Sequence, residues 1–130
     1  TAGDFMSWQF QADQPIYTLL VPRLQQQIVS GVYPPGSKLP SVRELAADAG
    51  ANPNTVQRAF AELERAGLIY TQRTAGKFVT EDAAAVAAAR RSLAEAQTRQ
   101  YLAAMRALGC GKQEIHNLFD QMEEQEHADL

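Results

Sequence analysis

Leu39-Pro-Ser-Val-Arg-Glu-Leu-Ala46 and, shortly after it, Asn52-Pro-Asn-Thr-Val-Gln-Arg-Ala-Phe60 decide the fold of this chain. Two short helices that cross closely need a small residue at the crossing, a turn residue tolerant of positive φ, and an inward apolar anchor on the second helix. Ala46, Gly50 and Val56 stand where those three are needed. Ser41 lies three residues before Glu44, the spacing of a capping box. A helix therefore starts there, turns Val42, Leu45 and Ala46 inward, and stops near Gly50. Asn52 is a good N-cap, and Pro53 fits a first turn because its missing N–H had no helical partner. The spacing predicts the next helix over residues 52–66, with Val56, Ala59, Phe60, Leu63 and Ala66 inward and Gly67 closing it.

Working outward, Ile16, Leu19, Leu20, Leu24 and Ile28 recur at steps of three and four after Pro15, the buried stripe of a helix that ends before Gly31. Pro34-Pro-Gly36 forces a turn, and Leu39 plugs the core before Pro40. Downstream, Leu68–Gln72 and Lys77–Thr80 are β-prone runs around Arg73-Thr-Ala-Gly76, the layout of a hairpin over 68–80. Ala83–Leu108 is alanine-rich without a breaker, opened by Glu81-Asp82, whose charges favour a helix start. Gly109-Cys-Gly111 interrupts it, and Ile115, Leu118, Phe119 and Met122 mark a last helix before a frayed, charged end. Near the N-terminus, Trp8-Gln-Phe-Gln alternates like a short extended segment. Thr1–Phe5, ahead of Met6, read equally well as added residues or as part of the chain. The expectation is a mostly α fold with a small β-hairpin. Residues 1–13 form an N-terminal extension, 14–80 a winged helix-turn-helix, and 81–130 a two-helix C-terminal dimerisation unit.

Composition bounds the function. The chain has 130 residues and 45% apolar content, room for one compact domain and a small appendage but not for a large catalytic or sensing domain. The formal charge of -3 looks wrong for a nucleic-acid binder until it is resolved by region. From Leu20 to Thr80 seven cations face four acids, a balance of +3, whereas from Glu81 onward five cations face nine acids, a balance of -4. A surplus of +3 is weak for one protomer and suits a binder that acts as two copies. One cysteine, no secretory signal and no membrane-length apolar run point to a reducing cytoplasm and no membrane.

The third helix carries the polar equipment for reading DNA. Asn54 and Gln57 can pair with adenine edges, Thr55 can meet a phosphate or a thymine methyl, and Arg58 can reach phosphate or guanine. Arg43 can reach a phosphate strand, with a surface pair to Glu44 as its ordinary alternative. Ser41 can donate to a phosphate or simply cap its helix. Arg73 and Lys77 bracket the hairpin tip, from which a cation can enter the minor groove or hold flanking phosphates. Val86, Leu93, Tyr101, Met105 and Leu108 lie near one side of the long helix and, with Ile115, Leu118, Phe119 and Met122, await a partner surface. A twofold mate is the favoured occupant, since a ligand chamber would need walls that alanine does not supply. No catalytic, metal or cofactor constellation is expected. His116 and His127 have no cysteine pair nearby, Glu123 and His127 make a surface pair, and Cys110 is a small filler.

These motifs resemble the GntR family of bacterial repressors and, within it, the short YtrA-like branch. The resemblance is carried by Pro15-Ile-Tyr17, by Pro35-Gly-Ser-Lys-Leu-Pro-Ser-Val-Arg-Glu-Leu-Ala46 and by Asn52-Pro-Asn-Thr-Val-Gln-Arg-Ala-Phe60. Glu62-Leu-Glu-Arg-Ala-Gly-Leu-Ile69 and Gly76-Lys-Phe-Val79 extend it, and Gly109-Cys-Gly-Lys-Gln-Glu-Ile115 looks like that branch's approach to its last helix. It implies a winged-helix homodimer on near-palindromic double-stranded operator DNA, pairing through two C-terminal helices, often in control of a transporter operon. It also implies DNA-contacting roles for Arg43, Asn52, Asn54, Thr55 and Gln57, and wing roles for Arg73 and Gly76. Thr74 departs from the family, which usually has glycine there, and so leaves minor-groove entry by the wing open. The sequence names no effector. The competing reading is a protein-interaction module in which the acidic helical tail binds a partner. Steep salt dependence of duplex binding separates the two.

Overall fold

The computed structural model describes residues 16–128. The expected extended segment at Trp8, the 1–13 extension and the start at Met6 lie outside the described residues. Two compact units divide the chain between Arg91 and Ser92, beyond the boundary at 80/81 read from the sequence.

In the first unit, α1 spans Ile16–Val29 and buries Leu20, Leu24 and Ile28 completely, one turn apart. Pro22 lies inside α1 at an exposed position, so its ring does not intrude on that stripe. Helix α2, Val42–Ala49, opens on the expected capping box. The Ser41 hydroxyl accepts from the Glu44 N–H at 3.1 Å, and the Glu44 carboxylate accepts from the Ser41 N–H at 3.3 Å. Gly50 ends α2 at φ 67°, the left-handed turn that lets the chain double back. Helix α3, Pro53–Arg65, is capped by Asn52, whose side-chain oxygen accepts from the Asn54 N–H at 2.8 Å. Its C-cap is Ala66, with Gly67 the residue after it, so Ala66 is exposed rather than inward as expected.

Strands β1, Ile69–Gln72, and β2, Gly76–Val79, pair antiparallel with Ile69 opposite Val79 and Gln72 opposite Gly76. The loop between them is Arg73, Thr74 and Ala75. Gly76 is the wing residue that needs positive φ, and no described non-glycine residue adopts one, so Thr74 sits in the turn without backbone strain. The segment read as a turn ahead of Leu39 does more than turn. Gly36 N–H donates to the Val79 carbonyl at 3.0 Å, Val79 N–H to Ser37 at 2.9 Å and Leu39 N–H to Lys77 at 2.8 Å, with Lys38 bridged opposite Phe78. Residues 36–39 thus line the free edge of β2 and stiffen the hairpin.

The core gathers Leu20, Leu24 and Ile28 with Leu45, Ala46 and Ala49 around Val56, Ala59, Phe60 and Leu63 of α3, closed by Leu39, Leu68, Ile69 and Val79. Helix α3 packs on both α1 and α2 and so is the central element. Four residues of α3 face inward at steps of three and four, so the remaining positions are turned out by geometry alone. Gln27 is the polar exception, 5% exposed with neither side-chain amide atom hydrogen-bonded among the described residues.

Helix α4, Ala83–Ala107, is N-capped by Asp82, which accepts from Ala84 N–H at 3.0 Å and Ala85 N–H at 3.3 Å. The acid read as an electrostatic aid is therefore a direct cap. Val86 and Ala89 pack against the core of the first unit. In the second unit, α4 runs on to Ala107 and, after Gly109, α5 spans Lys112–Ala128. Tyr101, Leu108, Phe119 and Met122 are exposed there, Leu108 at 77%, while Leu93, Met105, Ile115 and Leu118 are half-buried. No helix among the described residues is long and apolar enough to cross a membrane.

Candidate nucleic-acid interface

Burying Val56, Ala59, Phe60 and Leu63 leaves Asn54, Gln57 and Arg58 exposed and Thr55 half-buried on α3. These four predicted residues thus share the solvent side of one helix, with the exposed cap Asn52 at its N-terminal end. The Asn52 side-chain oxygen is occupied by the cap, which leaves its amide N–H groups to meet a partner. At the start of α2, Arg43 is exposed and forms no ion pair among the described residues. The alternative pairing with Glu44 is not made, because the Glu44 carboxylate turns back to the Ser41 backbone. Ser41 caps its helix and keeps its hydroxyl proton, so both roles foreseen for it remain compatible.

The wing differs from the sequence picture in one respect. Arg73 is exposed at its tip, but Lys77 is not a free cation. Its ammonium donates to the Thr71 hydroxyl at 2.6 Å and to the Glu64 carboxylate at 3.4 Å. The Thr71 hydroxyl in turn donates to Glu64 at 2.9 Å. That hydrogen bond, with a smaller contribution from the Lys77 charge and against the cost of burial, holds the Glu64 carboxyl below its ordinary value of 4.5. The network joins the last turn of α3 to both strands. It borders a groove of about 330 Å³ lined by Val42, Gln57, Phe60, Ala61, Glu64 and Lys77.

Two side chains beside this surface escape the sequence reading. Lys38 is exposed, makes no ion pair among the described residues, and runs so close over the wing glycine that a Cβ on Gly76 would lie 3.3 Å from its Cε. The available signal was the alternation of Lys38 outward with Leu39 inward, the period of a strand. Tyr17, from the first turn of α1, lies beneath Arg58, whose guanidinium carbon is 4.2 Å from the ring centroid.

In the second unit, a crevice of about 330 Å³ is lined by Leu102, Arg106, Cys110, Gly111, Lys112, Ile115 and His116. Partial burial, with the Glu114 carboxylate beside it, pushes the Cys110 thiol up and favours its protonated, unreactive form. Among the described residues no three histidine, cysteine or carboxylate side chains are grouped to hold a metal ion. His127 and Glu123 meet at 3.6 Å as an exposed pair one turn apart.

Residues 16–79 match the family model of bacterial regulatory proteins, gntR family. The uncharacterized HTH-type transcriptional regulator YhcF of Bacillus subtilis is 37% identical over 110 residues, 85% of this chain and 91% of that protein. The HTH-type transcriptional repressor YtrA of the same organism is 45% identical over 73 residues, 56% of each chain. Among solved structures, a GntR family transcriptional regulator from Listeria monocytogenes superposes with a TM-score of 0.80 at 39% identity, covering 86% of this chain and 98% of that one. The AraR DNA-binding domain in complex with operator ORX1 gives 0.52 at 27% identity, covering 55% and 93%.

Proposed function

The chain belongs to the gntR family of bacterial regulatory proteins, and on that premise we propose that it is a homodimeric repressor that reads a near-palindromic operator. That it is a helix-turn-helix transcriptional regulator with a DNA-binding domain, not an enzyme, follows from the family. The finer reading rests above all on the polar solvent side of α3. In it, Asn54, Thr55 and Gln57 enter the major groove, while Arg43, Ser41, Asn52 and Arg58 hold the flanking phosphates. Arg73 and Gly76 present the wing to the neighbouring minor groove, and Lys38, exposed and without an ion pair among the described residues, adds a phosphate contact that Lys77 makes only by exchanging Glu64 for a phosphate. Repression is supported by the name of the 45% identical relative, and control of a transporter-type operon by the resemblance to the YtrA-like branch.

Pairing is assigned to the second unit, because Tyr101, Leu108, Phe119 and Met122 are large apolar side chains left exposed in one chain. Burying a phenylalanine or methionine side chain is worth about 1.5–3 kcal/mol, and a twofold axis doubles each gain. Two copies of α3 then address successive major grooves about 34 Å apart. Sedimentation of the native chain alone and with a duplex tests this directly. The expected result is a dimer in both cases and a monomer for Phe119→Glu. A native chain that stays monomeric and binds one duplex per protomer contradicts the pairing. Binding that ignores salt favours the rival, an acidic tail docking on a protein.

A further inference from the structure

We propose that Tyr17 is a positioning residue of the DNA-binding surface, which holds the Arg58 guanidinium ready for a phosphate of the duplex backbone. This rests on the reading of α3 as the DNA-facing helix and adds to it a residue from a different part of the fold. Tyr17 is half-buried and packs against the hydrophobic core, so its ring is fixed from below. Arg58 lies over that ring at 4.2 Å and remains exposed. It stands one helical turn beyond Asn54 and so on the same face.

What the ring does becomes clear beside Arg65, seven residues further along the same helix. Arg65 donates to the Glu62 carboxylate at 2.6 Å, so one face of its guanidinium is taken up by an acid. An aromatic face attracts a guanidinium without cancelling its charge and leaves the in-plane N–H donors directed outward. Arg58 is thereby ordered yet still cationic, the combination that a phosphate contact requires. Without the ring, a long side chain would lose its rotamer freedom only on binding, at the expense of affinity. Tyr17, besides packing against the core, thereby acquires a role in the interface.

The test measures anisotropy of a mixed-sequence duplex of about 30 base pairs, roughly three helical turns, bound by the full chain. Tyr17→Leu weakens binding by about two- to fivefold for each protomer engaged, and Tyr17→Phe binds like the native chain. In an Arg58→Ala background, Tyr17→Leu has no further effect. An equal loss from Tyr17→Leu with and without Arg58 overturns the proposal, since the ring would then act through the fold. So does a Tyr17→Phe loss matching that of Tyr17→Leu, which would make the hydroxyl the contact, or a Tyr17→Leu chain that binds as well as the native one. Should Tyr17→Leu melt below the assay temperature, the native chain supplies the answer by NMR. The Arg58 δ-protons show an upfield ring-current shift that persists in the complex, and its disappearance on adding duplex refutes the positioning role. A native chain that binds no duplex at all removes the functional reading itself, an outcome distinct from any variant effect.

Discussion

Replacing Arg43 with alanine removes one guanidinium from each protomer and, on the structure, nothing else. The side chain is exposed, it pairs with no acid among the described residues, and the capping box beside it uses Ser41 and Glu44 alone. Melting temperature is therefore expected to stay within the range of an ordinary surface change. Binding is not. Each phosphate neutralised contributes about 0.9 to the slope of log affinity against log salt, so a dimer that loses two contacts loses about 1.8. Salt raised from 50 to 200 mM is a fourfold change, over which the advantage of the native chain shrinks by about twelvefold. A single protomer per duplex would lose only about 0.9, a change of about 3.5-fold, so the same titration reports stoichiometry. Anisotropy of a labelled duplex at four or five salt concentrations supplies both lines. Parallel lines for Arg43→Ala and the native chain, whatever their offset, would show that Arg43 touches no phosphate and would sink its assignment.

Other expectations concern the scaffold. Because Glu64 is held below its ordinary value of 4.5, its contribution to stability is fully present above that pH and lost as pH falls through the lowered value. Thermal melts below pH 5 are thus expected to show a decline that Glu64→Gln flattens. Gln27→Leu removes two buried polar atoms that have no partner among the described residues and is expected to stabilise by on the order of 1 kcal/mol, visible as a rise of several degrees in the melting midpoint. A drop would show that the amide has a partner. Gly76→Ala, at φ 113° and with the Lys38 side chain 3.3 Å from the new Cβ, is expected to cost about 1–2 kcal/mol and to loosen the wing, which amide exchange of β1 and β2 would detect.

The helices were legible because their signals are local. Ser41 with Glu44, Asn52 with Pro53, and the inward stripe of α3 each depend on residues within a turn or two of one another. The outward face of α3 follows by subtraction, which is why Asn54, Thr55, Gln57 and Arg58 are legible in the sequence. What escaped depends on contacts between distant segments. The pairing of Lys38 with Phe78 joins residues on either side of the helix-turn-helix, and Gly36-Ser-Lys-Leu39 has no β-branched residue to announce a strand. Tyr17 under Arg58 and Lys77 against Glu64 are likewise encounters between elements. In the second case the meeting reverses the simple reading, because a cation counted as available turns out to be neutralised. Ala66 was misplaced by helical extrapolation across a C-cap, where the chain has already left the helix.

The central claim is that the solvent side of α3 reads bases in a duplex held by two protomers. Selection of bound fragments from random duplexes, run in parallel with the native chain and with Asn54→Ala, tests it most directly. The account predicts a twofold-symmetric enriched site whose half-sites lie about 10 base pairs apart, with Asn54→Ala relaxing preference at one symmetric pair of positions while the rest of the site stays. Enrichment of no sequence, or an identical site from both proteins, would contradict it.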